Sequence, residues 1–387
     1  MQGFRRSARL QKVERAPCAA FSIDTPMRKF LIVRFTSESR YSGGLQCSDR
    51  NQESIETIFG PEHVTTYIIE PYKNRSSLRS ILTRAGDILK GYMGGLNSDK
   101  EKEILSIIAD KQITDVFLDS SLLGRLAKKI RRRFPQVRTY TFFHNLEYKF
   151  MKDYVRVKHD FLRIYWPILS FQNEKNSIKY SHKIIALNSR DSQAIEKQYG
   201  RKADALIPIT FKASPLRASD TPAGPAKEAL FIGSYFYPNV EGIRWLVRHV
   251  LPHVPAQLTI VGAGMDKLAA EFGHCDNIKI YSNVPDLALY FAQADFVVLP
   301  IFSGSGMKVK TAESLMNGKF IIGSTEALQG YEFDDSVARE CNTADEFITA
   351  ISNFDRPTKY NEPSRRLFEK KYSFEASLKS FRSVLTD

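Results

Sequence analysis

A chain of 387 residues has room for two or three domains, and 43% hydrophobic with 26% charged residues is the balance of a globular protein with a substantial core. The formal net charge of +13 is uneven: Lys and Arg exceed Asp and Glu by 14 in residues 1–200 and fall short by 1 in residues 201–387, so an anionic partner is expected on the first half. No apolar run approaches the about 18 residues of a membrane span, the first residues lack the apolar segment of a secretion signal, and Cys18, Cys47, Cys275 and Cys341 have neither metal-ligand nor disulfide-framework spacing.

In chain order, residues 1–27 form a polar, Arg-rich leader with the composition of a disordered segment. "KFLIVRF" (29–35) reads as a first strand, followed by a loop carrying Gly43 and Gly44 and then a helix. "ITDVFLDSS" (113–121) and "VRTYTFFHN" (137–145) are further strands that end in polar residues. Between them, "GRLAKKIRRRFPQVR" (124–138) places seven cations in a helical stretch, and residues 148–171 mix cations with aromatic and aliphatic side chains. "HKIIALNSRD" (182–191) is a strand leading to a helix that ends near Gly200. Residues 214–228, rich in Pro, Ala and Ser without periodicity, read as a linker.

A second series follows. "EALFIGSYFYPN" holds a strand and a turn at Gly233 and Ser234, "VEGIRWLVRHVLPHV" is an amphipathic helix, and "AQLTIVGAG" is a strand with another glycine turn. "NIKIYSNVPDLALYFAQADFVVLP" adds a strand, a helix and a strand. Residues 302–323, "FSGSGMKVKTAESLMNGKFIIG", then read as glycine turn, helix and strand: Val309, Ala312, Leu315 and Met316 recur at helical spacing, and Asn317–Gly318 suits the helix end. Strands alternating with helices imply parallel sheets covered on both faces. The expected division is an α/β domain over 28–213, the linker 214–228, a second α/β domain over 229–363, and a helical segment 364–387 that packs back on the first domain.

The turn at 304–306 has a direct chemical reading. A glycine turn opening a helix presents unsatisfied N–H groups at the positive end of the helix dipole, and an anion, most often a phosphate, is the guest that suits it. Gly306, Met307 and Lys308 are the candidate anion-binding residues, and Glu313 lies on the same helix.

These stretches, in this order, resemble the two-domain nucleotide-sugar glycosyltransferases of the GT-B fold, close to the retaining family 4 group. The resemblance covers about residues 29–380. It rests on "YSGGL", "FFHNLEY" (142–148), "ALNSRDSQAIEKQYG", "FIGSYFYPNVEGIRWL", "TIVGAG", "VPDLALYFAQADFVVLP" and "GSGMKVKTAESLMNGK". It implies two Rossmann-like domains facing each other across a cleft, with a nucleotide diphosphate-sugar held mostly by the second. Glu313 then matches the family's ribose-binding glutamate. The wider group's first glutamate, separated from the ribose-binding one by seven residues, falls on Ser305, a departure shared by a subgroup with a G-S-G-x-[RK] turn. The family's diphosphate-gripping Arg and Lys have Ser234 and Asn239 near their places, and Lys308 is expected to take over their task. Gly43 and Gly44 are expected against the donor phosphates or the transferred sugar, and Gly233, Ser305, Gly306 and Met307 around the nucleotide-sugar. His144 is expected to contact the transferred sugar, with Asn145 and Glu147 adjoining it.

The resemblance further implies retention: the acceptor hydroxyl attacks from the leaving group's side and the departing phosphate takes its proton. No paired carboxylates for double displacement are evident. His144, Lys308 and Glu313 are the expected catalytic residues, with no metal and no cofactor beyond the co-substrate. The basic, partly apolar stretches of the first half suit an anionic membrane surface and a glycan or polyprenyl-diphosphate-linked acceptor at the cytoplasmic face, in surface polysaccharide synthesis. No nucleic-acid motif accompanies them. A nucleotide-sugar epimerase and a catalytically inactive partner subunit are the rival readings.

Overall fold

The computed structural model describes residues 28–36, 43–71, 78–158, 163–216, 226–304, 306–355 and 358–386. The leader, most of the linker and Ser305 lie outside them. Strands β1 (Phe30–Phe35), β2 (Val64–Ile69), β3 (Asp115–Leu118), β4 (Arg138–Phe143), β5 (Lys183–Ala186) and β6 (Ala205–Leu206) form one sheet in the order β2-β1-β3-β4-β5-β6. Strands β7 (Lys227–Ile232), β8 (Ala256–Gly262), β9 (Ile278–Ser282), β10 (Phe296–Leu299), β11 (Phe320–Gly323) and β12 (Ala338–Glu340) form the second, in the order β12-β11-β10-β7-β8-β9. Every pairing is parallel. The central strands read as unbroken apolar runs because both faces are covered: Phe30 to Val33 and Phe296 to Leu299 are all buried.

The strand order fixes where a ligand can sit. In a doubly wound sheet the crevice opens at the carboxyl ends of the two strands where the winding reverses. In the first sheet these are β1 and β3; in the second, β7 and β10. The segments leaving those strands contain Asp119, Gly233 and the 304–306 turn.

Three strands escape the sequence pattern. β2 is a half-exposed edge strand, "VTTYII", and β6 and β12 have only two and three residues. β7 begins at Lys227, inside the stretch that reads as linker. The C-terminal segment is two helices, Glu362–Leu367 and Phe374–Thr386, rather than one. Between them the backbone pairs with Phe211, whose N–H donates to the Tyr372 carbonyl (3.1 Å) and whose carbonyl accepts from the Phe374 N–H (2.8 Å). The last helix lies on the first sheet, with Phe381 fully buried and its ring 6.2 Å from that of Phe117.

Part of the positive charge of the first half is scaffold. Arg28 and Arg138 both pair with the buried Asp115, at 2.5 and 2.9 Å, and Arg28 also donates to the Leu385 carbonyl. Arg125 pairs with Glu101 at 3.2 Å and lies over the Tyr92 ring. These cations tie elements together instead of forming a free basic face. The packing of the last helix predicts that Phe381→Ala lowers unfolding free energy by about 3–5 kcal/mol, read by denaturant titration; a loss below about 1 kcal/mol contradicts that burial.

Candidate functional site

At the second-sheet switch point, β10 runs through Pro300 into the glycine turn and then the helix Val309–Met316, of which Lys308 is the N-cap. Asn317 and Gly318, the latter at φ 59°, end the helix as the sequence pattern implies. Gly306 sits at φ 68°, and a Cβ there would lie 2.7 Å from Asn145 Oδ1 of the first domain, so glycine is needed for both backbone and space. Among the described residues the N–H groups of Gly306 and Met307 have no acceptor. The Met307 side chain is buried in the core, leaving its backbone as the part a ligand can use.

The three charged residues of "KVKTAE" go to three different places. Lys308 Nζ donates to Glu326 Oε1 (2.6 Å) and to the Gly306 carbonyl (3.0 Å). Burial lowers its pKa despite the carboxylate beside it. Lys310, two residues on and therefore on another helix face, reaches under the β7 turn instead. Its Nζ donates to Asn239 Oδ1 (2.5 Å) and lies 4.7 Å from the Phe231 ring centroid. A Cβ on Gly233 would come within 2.9 Å of that Nζ. Burial pushes the Lys310 ammonium down to about 7, with Lys308 adding to the effect and Glu313 opposing it. The Glu313 carboxylate has no hydrogen-bond or ion-pair partner among the described residues; burial raises it to about 7, opposed by Lys310.

These placements revise the sequence reading. The cation that stands beside Gly233, Ser234 and Asn239 is Lys310, and Lys308 is occupied with Glu326. Asn239 is a bracket: its Oδ1 accepts from Lys310 and its Nδ2 donates to the Ser234 carbonyl (2.7 Å). Ser234 itself is exposed. Gly43 and Gly44 open the helix Gly43–Phe59 instead of lying in the loop before it, and among the described residues nothing beyond the helix's own backbone and chain neighbours lies within 4 Å of where a Gly44 Cβ would stand. Ser305 lies outside the described residues.

On the first domain His144 follows β4. Its Nε2 donates to the Asp119 carbonyl (3.1 Å) and Oδ1 (3.2 Å), and Asn51 Nδ2 donates to the same Oδ1 (2.7 Å). Burial disfavours the charged ring, but Asp119, with Cys47 also adjacent, outweighs it and holds the His144 pKa well above its ordinary value. Glu174 anchors the next segment. Fully buried, it accepts from the N–H groups of Glu147 (2.7 Å) and Tyr148 (3.2 Å) and from the Tyr199 hydroxyl (2.6 Å), capping the helix Glu147–Lys158. Glu147 accepts weakly from Asn145 Nδ2 (3.3 Å), and no bond joins it to His144 among the described residues. Asp119 and Glu174 were missed from the sequence. Asp119 left a signal, an acidic residue just past a strand's carboxyl end; Glu174, inside a helix 27 residues beyond Glu147, left none.

Asn188 and Asp191 form a helix cap, Asp191 N–H donating to Asn188 Oδ1 (2.9 Å), and the Asn188 amide closes against Gly330 of the second domain. The two domains thus meet at Gly306 with Asn145 and at Gly330 with Asn188. Among the described residues no group of three or more His, Cys, Asp or Glu is placed to hold a metal ion. No described helix is long and apolar enough to cross a membrane.

Residues 226–354 match the family model described as Glycosyl transferases group 1. The fold matches solved structures across nearly the whole chain. The lipopolysaccharide outer core galactosyltransferase WaaB, apo form, aligns with a TM-score of 0.64 at 12% identity, covering 92% of this chain and 99% of that one. HepE of Anabaena, in complex with UDP and glucose, aligns at 0.61 and 9% identity, covering 93% and 100%. A glycosyltransferase of Rickettsia africae aligns at 0.61 and 15% identity, covering 93% and 99%. A comparison with curated protein sequences gave no match. At these identities the structural likeness carries the fold, two facing parallel α/β domains of the GT-B type.

If Asp119 is what keeps His144 charged, Asp119→Asn should lower the His144 pKa by about 1–3 pH units, followed by NMR of the imidazole resonance. An unchanged midpoint would contradict the assignment.

Proposed function

We propose that this chain, which carries a group 1 glycosyl transferase domain on the GT-B fold, moves a sugar from a nucleotide diphosphate-sugar to an acceptor hydroxyl with retention of configuration and without a metal. The observation that carries the reading is the meeting of the two strand-end regions: Gly306, on the turn that leads to Lys310 and Glu313, lies against Asn145 and the His144 carbonyl, and His144 is bonded to Asp119 at the first switch point. The ribose hydroxyls donate to Glu313. The diphosphate lies at the start of the helix Val309–Met316, on the free N–H groups of Gly306 and Met307 and beside the Lys310 ammonium. Preorganised donors and a cation of this kind stabilise charge that grows as the glycosidic bond breaks. The transferred sugar lies toward His144, whose charged ring donates to a sugar oxygen. The acceptor oxygen attacks the anomeric carbon from the leaving group's face, the bond to phosphate oxygen breaks, and that phosphate takes the hydroxyl proton.

The acceptor side of the reading is a glycan or polyprenyl-diphosphate-linked glycan at the cytoplasmic membrane surface. The helices Glu147–Lys158 and Tyr165–Tyr180 support it. They pack through Tyr148 on Phe171 and Tyr154 on Trp166, yet expose Phe150, Ile164 and Ile168, the last two at 59% and 64%, among Lys149, Lys152, Arg156 and Lys175. Exposed apolar side chains on helices that also carry exposed cations suit anionic lipid, each cation near the surface adding roughly 1 kcal/mol.

Titration calorimetry with UDP, GDP, ADP and TDP tests the donor site, UDP first because HepE holds it. One nucleotide should bind the parent in the micromolar range, and Glu313→Ala and Lys310→Met should each weaken it tenfold or more, about 1.4 kcal/mol. No binding of any of them to folded parent protein would overturn the reading. For the membrane surface, the double variant Ile164→Glu, Ile168→Glu should lose most co-sedimentation with phosphatidylglycerol vesicles while keeping nucleotide affinity; equal sedimentation of parent and variant would contradict this surface.

A further inference from the structure

Glu326 stands where an anion site has no need of a carboxylate. It comes from the turn after β11, and its Oε1 pairs with Lys308 Nζ at 2.6 Å. That same Lys308 Nζ donates to the Gly306 carbonyl, so the carboxylate is tied to the glycine turn itself. Its Oε1 lies 3.9 Å from the position a Cβ on Gly304 would take, and Lys308 Cε lies 3.5 Å from that point. The turn supplies no carboxylate of its own, its residue 305 being serine.

The placement is built. Ser324 caps the short helix Thr325–Leu328 by accepting from the Ala327 N–H (3.2 Å) and also donates to the Ile301 carbonyl. Thr311 Oγ1 of the neighbouring helix donates to the Ala327 carbonyl at 2.7 Å. Tyr331 donates to the Lys308 carbonyl at 2.7 Å, fixing the residue that carries the counter-ion. Glu326 is therefore held on both sides, unlike a solvated surface glutamate. Its side chain remains 21% exposed, and Oε2 has no partner among the described residues.

A carboxylate beside a diphosphate is repulsive unless its charge is offset, and Lys308 offsets it. What a fixed, neutralised carboxylate with a free oxygen binds well is a pair of hydroxyl donors. On a nucleotide diphosphate-sugar the diphosphate is flanked by two hydroxyl-bearing groups, the ribose and the transferred sugar; with the ribose at Glu313 in the reading above, the transferred sugar is the one left for Glu326. We infer that Glu326 is a sugar-binding residue: its free oxygen accepts from hydroxyls of the transferred sugar, and Lys308 acts as its counter-ion rather than as a ligand of the diphosphate. The inference rests on the donor-site reading above.

The test compares each nucleoside diphosphate with its sugar conjugate by calorimetry: UDP with UDP-glucose, UDP-galactose and UDP-N-acetylglucosamine, GDP with GDP-mannose, TDP with TDP-glucose. The probe is the pair that the parent binds most tightly. Glu326→Gln should weaken the sugar conjugate about tenfold and leave the bare nucleotide within twofold. Glu326→Asp, which keeps the charge and withdraws it by one methylene, should show the same selective loss, and it stands in if the amide variant does not fold. Equal weakening of nucleotide and conjugate, or no weakening of either, would overturn the inference and leave the donor site standing. Failure of the parent to bind any probe would overturn the donor-site reading itself, and this inference with it.

Discussion

Lys310 sets the terms for the rest of the second domain's site. Its ammonium is withdrawn from water onto a neutral oxygen, Asn239 Oδ1, and an aromatic face, Phe231. A buried cation without a carboxylate against it is held at a cost, which is why its pKa falls to about 7. The surroundings are arranged around that group. Gly233 has no side chain because a Cβ would meet the Nζ, and Asn239 is pinned by the Ser234 carbonyl so that its oxygen faces inward. Glu313, one turn further along the helix, is close enough to influence Lys310 without bonding it. The fold thus keeps a cation and an acceptor partly unsatisfied at one strand-end crevice. On the proposed reading, a diphosphate with its ribose would supply the missing partners of both.

The opposite wall follows another logic. There a carboxylate stands against the histidine, Asp119 Oδ1 receiving both His144 and Asn51, so the imidazole is oriented before any ligand arrives and its charged form is favoured. In the proposed reaction, orientation prepared in advance would cost nothing at the moment of transfer. Glu174 extends the preparation to the backbone, tying Glu147, Tyr148 and Tyr199 to one buried carboxylate. One wall waits for charge and the other presents it; the two touch where Gly306 meets Asn145.

The fold was largely legible in the sequence because parallel strands buried on both faces are continuous apolar runs, as "FLIV" and "FVVL" are. What stayed hidden were short or edge strands such as β2, β6 and β12, whose pairing is set by neighbours rather than by their own pattern. The helix after the glycine turn and its end at Gly318 were also readable. The assignment of the cation was not. Lys308 is the extended N-cap and Lys310 lies in the first turn, and only their side-chain contacts, Lys308 with Glu326 and Lys310 with Asn239 and Phe231, separate the two. Glu326 and Asn239 reach the site from other strand ends, by contacts that linear spacing does not encode.

The most direct test of this account follows the Lys310 ammonium itself. In protein labelled with ¹³C-lysine, with the Lys310→Arg variant assigning the resonance, the Lys310 Cε signal should titrate near pH 7 in the free protein. With the cognate nucleoside diphosphate bound, its midpoint should rise by about 1–3 pH units as the phosphate charge settles beside it. A midpoint that is ordinary for lysine in the free protein, or one that does not move when nucleotide binds, would contradict the claim that this buried cation is held in readiness for the diphosphate.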